Sequence, residues 1–401
     1  MSSEVMKAAE EFDFSEELLI EIMKRLPIKY ILRCRSVQKS WYRLLRSPYF
    51  ISIHSRYQYS LNRYILCHNR HYNYFFLCFD DKEHYRLRFP EEMDDGFRHM
   101  GGGNVESVYD TCNGLICLSY NRMLEKVFLW NPALRVFNVL PDSPIPDPVP
   151  VRIIRPDSTS QKKNKKNKKI IPRDYLIPPH DPTTLGLAFG YLAKTNDYKI
   201  IKYEECSFEV SVYVYTLSTD SWKTVKKLGR CPCYKLSNSV FVNGVAYWVA
   251  SMDNSRESEK AIVCFDMEKD TIREILLPPP YSKNNVGSDV LVQKSNFGEL
   301  LSLFYFDRST YILHIWVLEN AGEPNEAWTK KKSLNFKPTW WPMGFRNNSE
   351  IVLKDCRKFL SYDYEKNEAG DIFYDDSMYP FCQDVNRFEE TLVLLDVNRQ
   401  A

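Results

Sequence analysis

The chain opens on an amphipathic helical pattern. Leu18, Leu19, Ile22, Met23 and Leu26 recur at spacings of one, three and four residues, which gathers them into one apolar stripe on a helix. Ser15 is placed to cap its start, with Glu16 and Glu17 in the first turn, where the helix dipole favours negative charge. Pro27 cannot continue the helix and disfavours helical angles at Leu26, so the pattern predicts a turn there. A second helix is predicted over 28–35 and a third over 37–46, carrying Trp41, Leu44 and Leu45; Ser47-Pro48 ends it. Three helices in about 40 residues enclose too small a core to stand comfortably alone, so apolar side chains left over should be covered by another protein.

After Arg63 the period changes from helix to strand: short runs rich in Val, Ile, Tyr, Phe and Trp are separated by Asn-Gly, Asp and Pro turns. One unit recurs, an apolar strand ending on an aromatic, a polar turn, then a second strand. Its copies are FFLCFDDKEHYRLRFP, VFLWNPALRVFNVLP, VYVYTLSTDSWKTV, IVCFDMEKDTIREILLP, HIWVLENAGEPNEAWTKKKSL and FLSYDYEKNEAGDIF. The anchors Phe79, Trp130, Tyr215, Phe265, Trp316 and Tyr362 are separated by 51, 85, 50, 51 and 46 residues, a period close to 50 with one overlong gap. Upstream lie glycine-bearing elements such as Cys112-Asn113-Gly114-Leu115 and Val242-Asn243-Gly244-Val245, and Asn-Gly favours a two-residue hairpin. Four short strands per 50 residues is the size of a propeller blade, and such units bury their faces only by stacking. The pattern predicts about six.

The overlong gap falls at about 142–183, where DSPIPDPVP and PRDYLIPPHDP flank QKKNKKNKK. That composition cannot supply a core, and a disordered surface insert is expected. Within it Lys162, Lys163, Lys165, Lys166, Lys168 and Lys169 read either as a solvated loop or as a nuclear-import signal, with no interleaved aromatic for base stacking.

Charge sharpens the N-terminal reading. No Asp or Glu occurs between Ile22 and Phe79, against eleven Lys and Arg, while seven acids fall in the first 21 residues. A locally basic, apolar-faced module suits an acidic protein partner. Over the whole chain the net charge is only +2, so global attraction to nucleic acid or membrane is not indicated. No apolar run of 18 residues and no apolar signal core is seen, which places the protein in the cytoplasm and/or nucleus.

Catalytic and metal chemistry find little support. No G-x-S-x-G, H-E-x-x-H or phosphate-binding glycine loop occurs, and Gly101-Gly102-Gly103 lacks the Lys-Ser/Thr that a P-loop needs. Eleven cysteines read as small buried hydrophobes, and the pair Cys231 and Cys233 has no second pair to complete a zinc site. The seven histidines show no ligand spacing. No enzyme activity, cofactor or metal is expected. Tryptophans 130, 222, 248, 316, 328, 340 and 341 read as blade core, except that Trp340-Trp341-Pro342 should turn one ring outward.

The helical segment resembles an F-box. The family pattern, L-P-x-x-L-x-x-E-I-L-x-R-L-P followed by L-x-x-x-R-x-V-x-K-x-W and S-P-x-F, is carried here by Leu18, Glu21, Ile22, Arg25, Leu26, Pro27, Leu32, Arg35, Val37, Lys39, Trp41, Ser47, Pro48 and Phe50. Phe14-Ser15 stands where Leu-Pro opens that pattern, and Gln38 where Cys is usual. The repeats resemble the F-box associated, kelch-like domain of plant F-box proteins, including the S-locus F-box-like group, through Leu129-Trp130-Asn131-Pro132-Ala133, Asn243-Gly244-Val245-Ala246-Tyr247-Trp248 and Arg273-Glu274-Ile275-Leu276-Leu277-Pro278 among others.

The resemblance implies an α+β multidomain chain: a flexible N-terminus (1–13), a three-helix F-box (14–54), a linker (55–62), and an all-β propeller of about six blades over 63–401. It further implies that Leu18, Leu19, Ile22, Leu26, Pro27, Leu32, Val37 and Trp41 bind a Skp-type adaptor and, through it, a cullin. The propeller would then present a target protein to an SCF ubiquitin ligase. The alternatives are an F-box interaction protein that delivers nothing for degradation, and a glycan-binding propeller.

Overall fold

The computed structural model describes residues 15–61, 64–69, 74–79, 83–87, 105–120, 126–144, 151–153, 175–177, 183–206, 209–228, 235–236, 239–251, 260–279, 288–297, 300–346, 349–356, 358–373 and 382–393. The expected flexible N-terminus, the lysine run, Gly101 to Gly103 and the Cys231/Cys233 pair lie outside them.

Four helices come first, not three: α1 (Glu16–Met23), α2 (Ile28–Cys34), α3 (Lys39–Leu44) and α4 (Pro48–Leu61). Ser15 caps α1 as expected, its Oγ accepting from the Leu18 amide at 3.3 Å. The fourth helix starts where the pattern was read as a stop. Proline is well suited to a helix's first position, where no intrahelical partner needs its missing N–H. Ser47 serves both ends: its hydroxyl donates to the Leu44 carbonyl at 2.7 Å and accepts from the Phe50 amide at 3.2 Å. Residues 55–61, expected as a linker, therefore continue α4.

The helical core consists of Leu19, Met23, Ile28, Ile31, Leu45, Phe50 and, from the other end of the chain, Leu392. Leu26, Trp41, Leu44, Ile51, Ala133 and Leu134 pack around it. The core that looked too small is completed by this chain's own C-terminal segment.

Strands β1 (Tyr64–Asn69), β2 (Tyr74–Phe79) and β3 (Glu83–Leu87) pair in order, and the last strand, β27 (Cys382–Phe388), adds to β1, so the first and last strands share one sheet. Four further sheets are four-stranded and run in sequence order. They are β4 (Val105–Cys112) to β7 (Val136–Val139), with β5 (Leu115–Tyr120) and β6 (Lys126–Asn131); β10 (Thr183–Leu192), β11 (Asp197–Cys206), β12 (Glu209–Thr216) and β13 (Ser221–Leu228); β19 (Ser288–Lys294), β20 (Leu301–Asp307), β21 (Ile312–Glu319) and β22 (Ala327–Asn335); and β23 (Trp340–Phe345), β24 (Glu350–Asp355), β25 (Lys358–Asp363) and β26 (Glu368–Phe373). The remaining sheet departs from this plan. Its first position is divided between β14 (Lys235–Leu236) and β15 (Val240–Val242), which both pair with β16 (Val245–Ser251), ahead of β17 (Lys260–Asp266) and β18 (Thr271–Ile275). About six blades were expected; the described residues give five regular four-stranded blades and one five-stranded sheet with this split edge. Within the insert, β8 (Val151–Ile153) and β9 (Tyr175–Ile177) pair as a short two-stranded sheet, where only disorder was expected.

Each of the six sequence repeats forms a hairpin in its own sheet, and each anchor aromatic sits on the third strand. A sheet packed on both faces leaves its middle strand continuously apolar, as in β17, whose central residues are all buried; β20 is buried along its length as well, while outer strands such as β22 carry charged residues that blunt the edge. Trp130 and Trp248 are fully buried, Trp340 is buried, and Trp222, Trp316, Trp328 and Trp341 are half-buried, so the double Trp turns neither ring fully to solvent. The hairpin turns repeat as well. Asn131, Asp266 and Asp363 each accept two backbone N–H groups two and three residues on, and Arg135, Asp270 and Asn367, four residues on, take positive φ.

By contact the chain forms two compact units. Residues 1–118, 128–139 and 339–401 hold the helices and the sheets built on β1, β4 and β23; residues 119–127 and 140–338 hold the others. In the second unit, one apolar cluster joins β10–β13 to the split sheet through Tyr203, Val212, Trp248 and Phe265, and another joins the split sheet to β19–β22 through Tyr247, Cys264, Leu303 and Tyr305.

Two predicted Asn-Gly turns separate clearly by environment. Gly114 (φ +72°) and Gly244 (φ +82°) both need left-handed backbone, but a Cβ at Gly114 would lie 2.4 Å from the Glu389 carbonyl oxygen, whereas the nearest atom at Gly244 is 3.8 Å away. Gly244→Ala is expected to cost about 1 kcal/mol, the left-handed penalty alone. Gly114→Ala is expected to cost about 3 kcal/mol, because the clash with backbone adds to that penalty. Chemical denaturation of the two variants side by side checks the difference.

Candidate protein-docking surface

Nine large apolar side chains are exposed among the described residues, and seven of them fall between Leu18 and Tyr49: Leu18, Ile22, Tyr30, Leu32, Val37, Tyr42 and Tyr49. Large apolar side chains gathered on one small module are the usual mark of an interaction surface. α1 supplies Leu18 and Ile22 because its stripe is wider than the core it packs on; Leu19 and Met23 face inward. α2 supplies Tyr30 on the side away from buried Ile28 and Ile31, and Leu32 at the margin of their face.

The predicted docking residues divide accordingly. Leu18, Ile22, Pro27, Leu32 and Val37 are exposed; Leu26 and Trp41 are half-buried against the helical core; Leu19 is buried within it. Sequence reasoning missed Tyr30, Tyr42 and Tyr49. The available signal was that they lie off the apolar stripe in a segment rich in Tyr and Arg, residue types that dominate protein interfaces. Arg33 stacks on the Tyr30 ring with 5.9 Å to the centroid, and Arg46 on Tyr42 at 5.2 Å. The rim is therefore basic as well as aromatic. Behind it Arg35 reaches the Leu45 carbonyl at 3.3 Å, its guanidinium pKa lowered by burial first and by Arg46 second.

The peptide group before Pro27, at the corner between α1 and α2, is held from behind. His54 of α4 is buried, with Nε2 3.2 Å from the Leu26 carbonyl oxygen. The Gln58 amide nitrogen lies 3.4 Å from the same ring nitrogen, and Nδ1 has no hydrogen-bond partner among the described residues. Burial raises the Glu390 carboxyl above its ordinary range.

Residues 93–390 match the family described as the F-box associated beta propeller domain, and residues 12–52 match the F-box domain. The chain belongs to the F-box associated beta propeller family. It is a plant F-box protein. The F-box protein At5g49610 of Arabidopsis thaliana is 26% identical over 81% of this chain and 79% of its own length. The F-box protein CPR1 of the same plant is 23% identical over 88% and 83%, and the F-box/kelch-repeat protein At3g23880 is 22% identical over 86% of both. Among solved structures, a chain of a nidogen/laminin complex reaches a TM-score of 0.45 at 10% identity over 82% of this chain and 99% of that one, too slight a likeness to carry an argument.

The F-box protein is thus four helices followed by an all-β propeller. No helix among its described residues is long and apolar enough to cross a membrane, and no group of three or more His, Cys, Asp or Glu among them is placed to hold a metal ion.

The buried histidine gives the F-box a pH dependence with a definite sign. Burial holds the His54 pKa below its ordinary 6.5, the bond to Leu26 opposing this in part. The unfolded chain then takes up a proton near pH 6.5 that the folded chain refuses, so stability is full above that value and falls as pH drops through it. Acidification from pH 7.5 to 5.5 is expected to destabilise the helices by about 1 kcal/mol. Hydrogen exchange of α1 and α4 amides measures this, and His54→Gln should remove that part of the pH dependence.

Proposed function

We propose that this F-box protein is the substrate-recognition subunit of an SCF-type ubiquitin ligase, acting in the cytoplasm and/or nucleus. The F-box would bind a Skp-type adaptor and through it a cullin; the propeller would hold a target protein for ubiquitination and degradation. The observation that carries the reading is the concentration of exposed apolar side chains on the helical module, in a family defined by an F-box and a propeller. Leu18, Ile22, Pro27, Leu32 and Val37 are the proposed adaptor contacts, joined by Tyr30, Tyr42 and Tyr49, with Leu26 and Trp41 shaping the surface and Leu19 supporting it from within. The five regular blades and the split sheet are read together as the propeller's six blades, the first completed where β27 joins β1.

On this reading the chain performs no bond chemistry. It tethers a target near the transferring subunits and raises its effective concentration there. The test is affinity capture from plant cells under proteasome inhibition, comparing the intact protein with a variant whose exposed F-box contacts are changed. Ubiquitinated forms of a captured partner that vanish in the variant support the reading. Capture of the same partner with equal ubiquitination in both sinks it.

A further inference from the structure

Leu276, just past the end of β18, is 73% exposed, the highest value for any large apolar side chain among the described residues. Its backbone is firmly held. Ile275 and Leu277 on either side are buried, and the Trp328 indole of β22 donates to the Leu276 carbonyl at 2.9 Å. The same seam between the split sheet and β19–β22 is fixed where Arg273 of β18 donates to both carboxylate oxygens of Glu326, at 2.9 and 2.6 Å. A leucine displayed on fixed backbone loses little freedom when a partner covers it.

The surroundings of Leu276 are aromatic and basic. Trp316 and Trp328 lie half-buried on the apolar cluster that joins the two sheets. Lys330 is the register partner of Trp316, with Nζ 5.7 Å from the ring centroid. Four lysines and no Asp or Glu occur over 327–338. Glu319 answers Lys331 at 2.8 Å, whereas Lys330 meets the ring and no carboxylate among the described residues. The His314 pKa is held below its ordinary value by burial first and by the Lys330 charge second. Strand β13 shows which part is distinctive. It too has Trp in second place, with Trp222 donating to the Pro141 carbonyl at 2.7 Å, and it too carries three lysines. There Lys223 pairs with Asp270, and no large apolar side chain of that strand or of Leu140 and Pro141 is among the exposed ones. The indole-to-carbonyl bond closes a seam in both places; exposed Leu276 beside Lys330 is an addition at one.

We propose that Leu276, Trp328 and Lys330, with Trp316 stacked against Lys330, form a docking site for an acidic segment of a partner protein that sets an apolar side chain among its carboxylates. The carboxylates answer the lysine row of β22, and the apolar side chain covers Leu276 and the half-buried Trp328. Nucleic acid fits this surface less well, because a phosphate backbone has nothing with which to cover Leu276. That the partner is the target held for ubiquitination rests on the proposed function; the chemistry of the site does not.

The test uses the full chain and a fluorescein-labelled peptide that sets one Leu between runs of Glu. Fluorescence anisotropy is expected to show saturable binding that weakens as salt is raised. Affinity should fall about tenfold in Leu276→Ser, about tenfold in Lys330→Glu, and about tenfold for a peptide with Ser in place of its Leu. Both side chains are exposed, so neither variant should shift the melting transition. Binding should persist when Lys162, Lys163, Lys165, Lys166, Lys168 and Lys169 are changed to Ser, which separates this site from simple attraction to the lysine run. Equal affinity for the Leu and Ser peptides overturns the proposal, and so does binding that follows the six insert lysines, or no binding at all. An oligothymidylate that binds more tightly than the peptide and is lost in the same two variants overturns it in favour of nucleic acid. An intact protein that captures no Skp-type adaptor removes the ligase reading and leaves the peptide result to decide this one.

Discussion

Ile22→Asp combined with Leu32→Asp is expected to abolish capture of a Skp-type adaptor while the protein keeps its thermal transition. Both side chains are exposed, at 42% and 37%, so a carboxylate at either position is solvated in the free protein and costs little there. In a complex the same carboxylate would be desolvated in an apolar contact. Truncating a buried interface anchor costs about 2 kcal/mol or more, roughly thirtyfold in affinity, and a charge in its place costs further. Two such changes exceed what a complex of ordinary affinity can absorb. Leu19→Asp offers the contrast. It would also abolish capture, but by opening the core that Leu19 shares with Met23, Ile31 and Leu392, and the helical exchange protection would be lost with it. Adaptor binding measured beside melting separates the two. Retained binding by the double variant would move the docking surface elsewhere.

Much of this architecture was legible because its determinants are local. Ser15, Pro27 and the spacing of Leu19 and Met23 fix α1 and its end within a dozen residues. Asn113-Gly114 and Asn243-Gly244 each show the paired positive φ that a two-residue hairpin turn needs. The 50-residue period survives in sequence because every blade solves the same stacking problem, and all six repeats proved to be hairpins. The fourth helix was missed because Ser-Pro is both a stop and a start, and only the Ser47 hydroxyl bonding both ways shows which reading applies. Among the predicted docking residues, the stripe does not tell which side of α1 is covered: Leu19 is buried, while Leu18 and Ile22 are exposed. Leu18 and Leu19 are equivalent in composition, and only the assembled helical core, Leu392 included, decides which is covered. The seating of Leu392 in the helical core left no trace in pattern or spacing, since nothing local relates the two ends of the chain.

The same remoteness makes Asn131 the position where the smallest chemical change should have the largest effect on stability. Its side chain is fully buried and uses all its bonding capacity in two directions. The amide nitrogen donates to the Thr391 and Val393 carbonyls, and the oxygen accepts from the Ala133 and Leu134 amides at 3.0 and 3.2 Å. Asn131→Asp preserves shape and the two accepted bonds, yet turns a donor toward two carbonyls into an acceptor. An ionised carboxylate there is buried against like-signed dipoles with no cation described beside it. The expected cost is about 3 kcal/mol at pH 7. The new carboxyl would escape by taking up a proton, so its folded pKa is raised above the unfolded value near 3.9. The cost should therefore be small below about pH 4 and grow as pH rises through the unfolded value toward the folded one. Asn131→Ala, which leaves the four backbone groups unbonded but adds no charge, should cost about 2 kcal/mol without that pH dependence. Denaturant melts of the two variants at pH 4.5 and pH 7.5 read the difference, and equal costs at both pH values for Asn131→Asp would show that the carboxylate finds solvent or a cation. If residues 389–393 release before the blades unfold, exchange at residues 28–31, whose Ile28 and Ile31 share the helical core with Leu392, will rise in Asn131→Asp ahead of exchange at Trp248, which would make this one amide the joint on which the F-box is carried.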